Sequence, residues 1–299
     1  MKMILIFILS CFYIYANADI DSEINEINSL LKITPRDPEL YFQRGYLYYN
    51  IEKYDRAIED LEKCVRFEPN DKIYYFYLAK SYMKGERIRD SINTFQKCVR
   101  LNDYAEAYFY LGILYSKVHE NSSALTSFDR AIEINSNEAK YWAGRARLKR
   151  DIVNINEAID DYNKALEIDP GFVYAHFDLV WINIEQNNIN LALQHARVVN
   201  FSDMRNPIYC DTLACAYSEI NIKKAIEFEL KAIEFGGDLD CKQKLKAFKN
   251  GKTYLEYKRE NERIEKERKQ QELIEKVRRE RIWEEIVEKN KEANKKHSR

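Results

Sequence analysis

PELYFQRGYLYYNIEKYDRAIEDLEKCVRFEPND, from Pro38 to Asp71, is the stretch on which the reading of this chain turns. It holds two short apolar-periodic segments with a polar turn between them. Tyr41, Gly45 and Tyr48 recur at helical spacing in the first segment, and Ala57, Leu61 and Cys64 in the second. Pro69 lacks a backbone donor and closes the second segment. Gly45 and Ala57 let two helices cross at close range, and Tyr41 and Tyr48 fill the space beside them. Neither segment can bury its apolar side alone. Stacked copies can, so the pattern predicts a linear array of helix pairs, all-α, without a single centre.

Variants of the stretch follow at 72–104, 105–138, 139–172, 173–206 and 207–236, making about six units with 38–71. The second carries Leu78, Ala79, Ser91, Phe95 and Cys98 in the same order; the third carries Leu111, Gly112, Ala124, Phe128 and Ala131. The fourth carries Trp142, Ala146, Ala158, Tyr162 and Ala165. The fifth is looser, with His176 and Asn183 where aromatics are expected, and the sixth recovers with Leu213, Ala214, Tyr217, Ala225 and Ala232. The recurrence resembles the tetratricopeptide repeat, whose period is about 34 residues. That resemblance implies a right-handed helix-turn-helix solenoid. Arg44 and Arg145 depart from it, standing where Leu is usual; such sites are either less buried or let the stems pass the core with the charge in water.

The flanks read differently. Residues 19–37, with Ile24, Ile27, Leu30 and Leu31 on one helical face, read as an N-terminal capping helix, a lone second half-unit. Residues 237–251 read as a C-terminal capping helix. Residues 252–299 form a charged region with 16 Lys and Arg against 12 Asp and Glu, so it is net positive while the remainder is net negative. Glu262/Lys266, Glu265/Lys269, Glu272/Lys276 and Glu275/Arg279 are spaced i, i+4 in the favourable order, which predicts a long extended helix. Its sparse apolar residues do not hold a seven-residue stripe; a coiled coil is compatible with the pattern but not demanded by it. Residues 1–18 have a short basic start, an apolar run from Ile4 to Tyr15 and the exit Ala16-Asn17-Ala18, the layout of a secretory signal peptide. Export to a periplasmic or extracellular space follows, with no integral membrane span after cleavage. Ile8-Leu9-Ser10-Cys11 gives lipoprotein anchoring at Cys11 as the lesser alternative.

Chemistry is scarcely encoded. Formal net charge is −1, which offers no overall polyelectrolyte attraction for nucleic acid. With 8 Gly there is no phosphate loop or nucleophile elbow, and the four His and six Cys show no metal-ligand spacing. No catalytic site, cofactor or metal is expected, and Cys64 and Cys98 read as small packing residues. The resemblance places helix A residues on a concave groove that binds a protein or peptide partner: Phe42, Tyr46, Tyr49, Phe76, Lys80, Phe109, Arg147, Arg150, Phe177 and Trp181. Aromatics and Arg are the types enriched at binding hot spots, although several could instead pack against a neighbouring helix. Phe42 and Tyr46 stand where the family's carboxylate clamp needs polar groups, so no clamp is expected. The sequence therefore points to a non-catalytic interaction scaffold. The alternative is an assembly or spacer protein that self-associates through its charged C-terminal helix.

Overall fold

The computed structural model describes residues 20–152, 154–202 and 206–297, leaving undescribed the side chains of 200–202, 282 and 284–297; the signal segment and Cys11 lie outside these residues. The described residues are helical throughout, without strands. They divide into two compact units, one ending at Ala175 and one beginning at His176. The first contains α1 (20–33), α2 (Pro38–Asn50), α3 (Tyr54–Phe67), α4 (Lys72–Lys84), α5 (Ile88–Leu101), α6 (Ala105–Lys117), α7 (Asn121–Ile134), α8 (Ala139–Ile152) and α9 (Ile155–Ile168). Helix α10 (Val173–Glu185) begins in the first unit. The second unit continues with α11 (Ile189–Ser202), α12 (Pro207–Ser218), α13 (Ile222–Glu234), α14 (Leu239–Lys249) and α15 (Tyr254–His297). Within each unit the helices pack as consecutive antiparallel pairs, the helix-turn-helix repeat that the sequence predicts. No helix of the described residues is long and apolar enough to cross a membrane.

The turns explain the pairing. Asp37 caps α2 by accepting from the N–H groups of Glu39 at 3.0 Å and Leu40 at 3.4 Å, with Pro38 in the first turn, where a missing N–H is harmless. At the other end Glu52 takes φ 60°, and Lys53 N–H donates to Tyr48 O at 2.9 Å, closing the helix with a left-handed residue. The device repeats at Glu86, His119 and Asn187, each with positive φ, and the following N–H reaches back to Tyr82 O, Tyr115 O and Asn183 O at 2.8 to 2.9 Å.

Close approach explains the small residues. A Cβ added at Gly112 would sit 2.7 Å from the Phe128 ring, and one at Gly45 would sit 3.2 Å from Leu61. Ala57, Ala79, Ala124, Ala131, Ala158 and Ala165 are all fully buried. Phe95, Phe128 and Tyr162 fill the space between, each contributing about 2–3 kcal/mol of apolar burial. Cys64 and Cys98 are buried and unpaired; their thiols donate to Pro38 O and Lys72 O, both at 3.2 Å, at the first residue of the facing helix. Burial pushes both thiols up to about 12.

The two arginines that depart from the repeat are neither in open water nor unpaired. Arg44 grips Asp60 through Nε and Nη2, both at 2.7 Å, and donates to Asn28 of α1 at 2.5 Å. Arg145 grips Asp161 at 2.8 Å twice and donates to Asp129 at 2.6 Å. In both cases the partners lie 16 residues before and 16 after the arginine. The guanidinium substitutes for an apolar side chain only because a carboxylate is placed beneath it. Helix α1 supplies Asn28 at the position where α7 supplies Asp129.

Candidate functional site

In the first unit the A helices α2, α4, α6 and α8 put a continuous sheet of rings on one side. Phe42 stacks near Tyr46 at 6.3 Å between centroids, and both meet Tyr77 edge-on, at 5.4 and 5.2 Å. Tyr49 joins the same ring at 6.5 Å. Lys80 Nζ lies 5.4 to 5.6 Å from the centroids of Tyr49, Phe76, Tyr77 and Tyr110, so four rings surround one ammonium. Further along, Phe109 meets Tyr141 at 5.3 Å, and Lys140 stands over both rings while pairing with Glu106 at 3.7 Å. Burial draws the Lys80 ammonium below its usual range and pushes the Tyr49 phenol up to about 12. Both are effects of a half-dry surface. Such a surface offers ring faces to apolar or aromatic groups and a partly desolvated cation to a carboxylate or carbonyl oxygen.

The residues singled out from sequence divide by depth. Tyr46 is exposed at 40%, and Phe42, Tyr49, Lys80 and Phe109 are half-buried, so these five face outward. Phe76 is 3% exposed and packs on Phe95, Tyr104 and Tyr110; it supports the surface from beneath. Arg147 is exposed, and Arg150 donates to Asp151 at 3.0 Å. Tyr77 and Tyr110, which link the cluster, escaped the sequence reading because the register alone does not show which rings lean across to the next helix.

In the second unit Phe177 lies 6.3 Å from Trp181 and 6.1 Å from Tyr209. Trp181 is half-buried beneath the first turn of α15, 5.5 Å from the Tyr254 ring. It therefore holds the charged helix at its root as well as bordering the surface. His176 and His195 touch through Nδ1 atoms 2.8 Å apart, so one ring donates while the other accepts. Burial, with the neighbouring ring second, lowers His195 to about 4.

The second unit also contains a buried polar cluster that no spacing announced. Asp211 of α12, Glu229 of α13 and Cys241 of α14 bring their donor atoms within 4.8 Å of one another. Lys244 of α14 pairs with Asp211, and with Asp240 at 3.0 Å. Glu229 is fully buried, and neither of its carboxylate oxygens has a hydrogen-bond partner. Burial, reinforced by Asp211, pushes its carboxyl up to about 8.

Two stretches, 38–71 and 139–172, match family models described as tetratricopeptide repeat. The chain carries tetratricopeptide repeats. Solved structures share the repeat fold at low identity. A chain of the APC/C hetero-tetramer Cut9–Hcn1 aligns at 12% identity and TM-score 0.66, over 78% of this chain and 46% of that one. A tetratricopeptide repeat protein from Parabacteroides merdae aligns at 15% and 0.62, over 79% and 95%. Pseudomonas aeruginosa pilF aligns at 12% and 0.62, over 70% and 97%. Comparison with curated proteins gave no match. The ring surface of α2, α4, α6 and α8 lies on the repeats' A helices.

Proposed function

We propose that this chain is a non-catalytic adaptor that binds an extended peptide or helix across the A-helix surface of its first unit. The observation that carries the reading is Lys80 held among four rings beside the exposed Tyr46. Rings that serve packing alone are covered, as Phe76 is; Tyr49, Tyr77 and Tyr110 are half-open and converge on one cation. The partner segment suited to them carries aromatic or apolar side chains next to an acidic group. The pattern of residues 1–18 supports action outside the cytosol. Panning a displayed peptide library on the full-length chain tests the proposal. Enriched peptides should combine an aromatic with Asp or Glu, and Tyr46→Ala with Tyr77→Ala should weaken them by more than about 1–2 kcal/mol, the range of an interface hot spot. Lys80→Met should remove the preference for the acid. Equal binding by all variants would sink the proposal.

A second reading rests on α15. Leu273, Ile274 and Val277 are exposed together on one stretch of it, beside Arg278 and Arg281. That patch suits a second copy of the helix. Sedimentation of the full chain across a concentration series decides: a monomer throughout removes the reading.

A further inference from the structure

We infer that the buried cluster of Asp211, Glu229 and Cys241 is a structural site for a divalent, zinc-like cation that ties α12, α13 and α14 together. Three donors come from three successive helices, and all their ligand atoms lie within 4.8 Å of one another. A tetrahedral zinc site with one sulfur and oxygen ligands needs donor separations of about 3.5 Å. Closing that gap requires rotation of the Glu229 and Cys241 side chains. Cys215 borders the same space, its thiol donating to Asp211 Oδ1 across 3.8 Å, and stays outside the ligand set.

The independent observation is Glu229. Its side chain is wholly buried and both carboxylate oxygens are without hydrogen-bond partners. Buried polar groups are nearly always satisfied, because an orphaned one keeps its full desolvation cost. A cation between Glu229, Asp211 and Cys241 satisfies it directly. Charge supports the same assignment. Once a metal displaces their protons, the three ligands carry three negative charges against the single positive charge of Lys244, so a divalent ion brings the buried sum to zero. The thiolate disfavours calcium and magnesium, which take oxygen ligands, and favours zinc. The remaining polar neighbours are accounted for: Lys244 takes Asp211 and Asp240, and Tyr257 of α15 donates to Asp240 at 2.9 Å.

Cobalt titration of the chelator-treated full-length chain is the test, with cobalt ion as a visible stand-in for zinc. One equivalent should bind with a thiolate-to-cobalt charge-transfer band, and zinc should displace it. Cys241→Ser should abolish the band, and Glu229→Gln, which keeps shape and removes only the charge, should weaken binding more than 10-fold. Melting curves without metal show whether each variant is folded; if Cys241→Ser is not, Glu229→Gln decides alone. Cobalt bound without the thiolate band, no saturable binding, or undiminished binding in a folded variant would each overturn the site.

Discussion

Arg145 and Asp161 meet through two parallel contacts of 2.8 Å, from Nε to Oδ2 and from Nη2 to Oδ1. Asp161 is almost fully buried, and Lys149 reaches the same carboxylate at 3.1 Å. The arrangement is asymmetric. Removing Asp161 leaves a partly buried guanidinium with Asp129 alone, whereas removing Arg145 leaves Asp161 still paired with Lys149. Asp161→Ala should therefore cost about 2–4 kcal/mol, and Arg145→Leu distinctly less. Urea unfolding of the two variants and their double mutant checks this; equal losses would show that Lys149 alone does not satisfy the carboxylate.

Gly112 tests the close helix crossing. An added Cβ falls 2.7 to 2.8 Å from three adjacent atoms of the Phe128 ring, which is itself 2% exposed. Gly112→Ala should destabilise by about 1–3 kcal/mol despite the better helix propensity of alanine. Phe128→Leu in the same background should restore part of the loss. Thermal melting of the pair is sufficient, and a stabilised Gly112→Ala would mean the helices are not held at this distance.

The same positions show what could be read from sequence. Gly45, Ala57, Gly112 and Ala158 announce helix crossings because close approach admits few residue types, and each recurs at its place in the period. Arg44 and Arg145 announced only a departure: their partners lie 16 residues away on other helices, and pairing at that range depends on how the helices stack. Asp211, Glu229 and Cys241 fit no motif for the same reason, since each belongs to a different helix. Phe76 and Trp181 mark the limit of register arguments. Both fall on the A-helix side, yet Phe76 is turned under by Tyr104 and Tyr110, and Trp181 is met by a helix whose sequence is nearly all charge.

Glu52 carries a cost that a glycine would not. Its φ of 60° lies in the left-handed region, where a Cβ is crowded by about 1 kcal/mol. Glu52→Gly should leave the Lys53-to-Tyr48 closure intact and raise stability by up to about 1 kcal/mol. A lower urea midpoint would show that the side chain contributes more than the strain removes.

Burial of His195, reinforced by His176, gives the second unit a pH dependence. The folded protein holds His195 neutral down to about pH 4, while the unfolded chain protonates it near its ordinary value of 6.5. Between those values the unfolded state binds more protons. The stability linked to neutral His195 is thus complete above pH 6.5 and is lost progressively as pH falls toward 4, by no more than about 1.4 kcal/mol per pH unit. His195→Gln should flatten that slope between pH 6.5 and 5. An unchanged slope would place the acid sensitivity elsewhere.

The root of α15 is fastened by α12 and α10, and this predicts where the charged helix lets go. Tyr254 N–H donates to Ser218 Oγ at 2.8 Å and Leu255 N–H to Glu219 Oε1 at 2.9 Å, so the end of α12 satisfies donors that a helix start leaves open. Glu219 also places negative charge at the positive end of the helix dipole. Lys258 pairs with Glu185 at 2.6 Å, and the Tyr254 ring covers Trp181. The ring contact excludes water, so it should outweigh the exposed ion pair. Tyr254→Ala should cost about 2 kcal/mol, and Lys258→Ala less than about 1 kcal/mol. With Trp142 and Trp283 replaced by Phe, Trp181 emission reports the event alone. It should shift to the red in Tyr254→Ala and stay in place in Lys258→Ala. Emission unmoved by Tyr254→Ala would mean that the charged helix is not seated on Trp181.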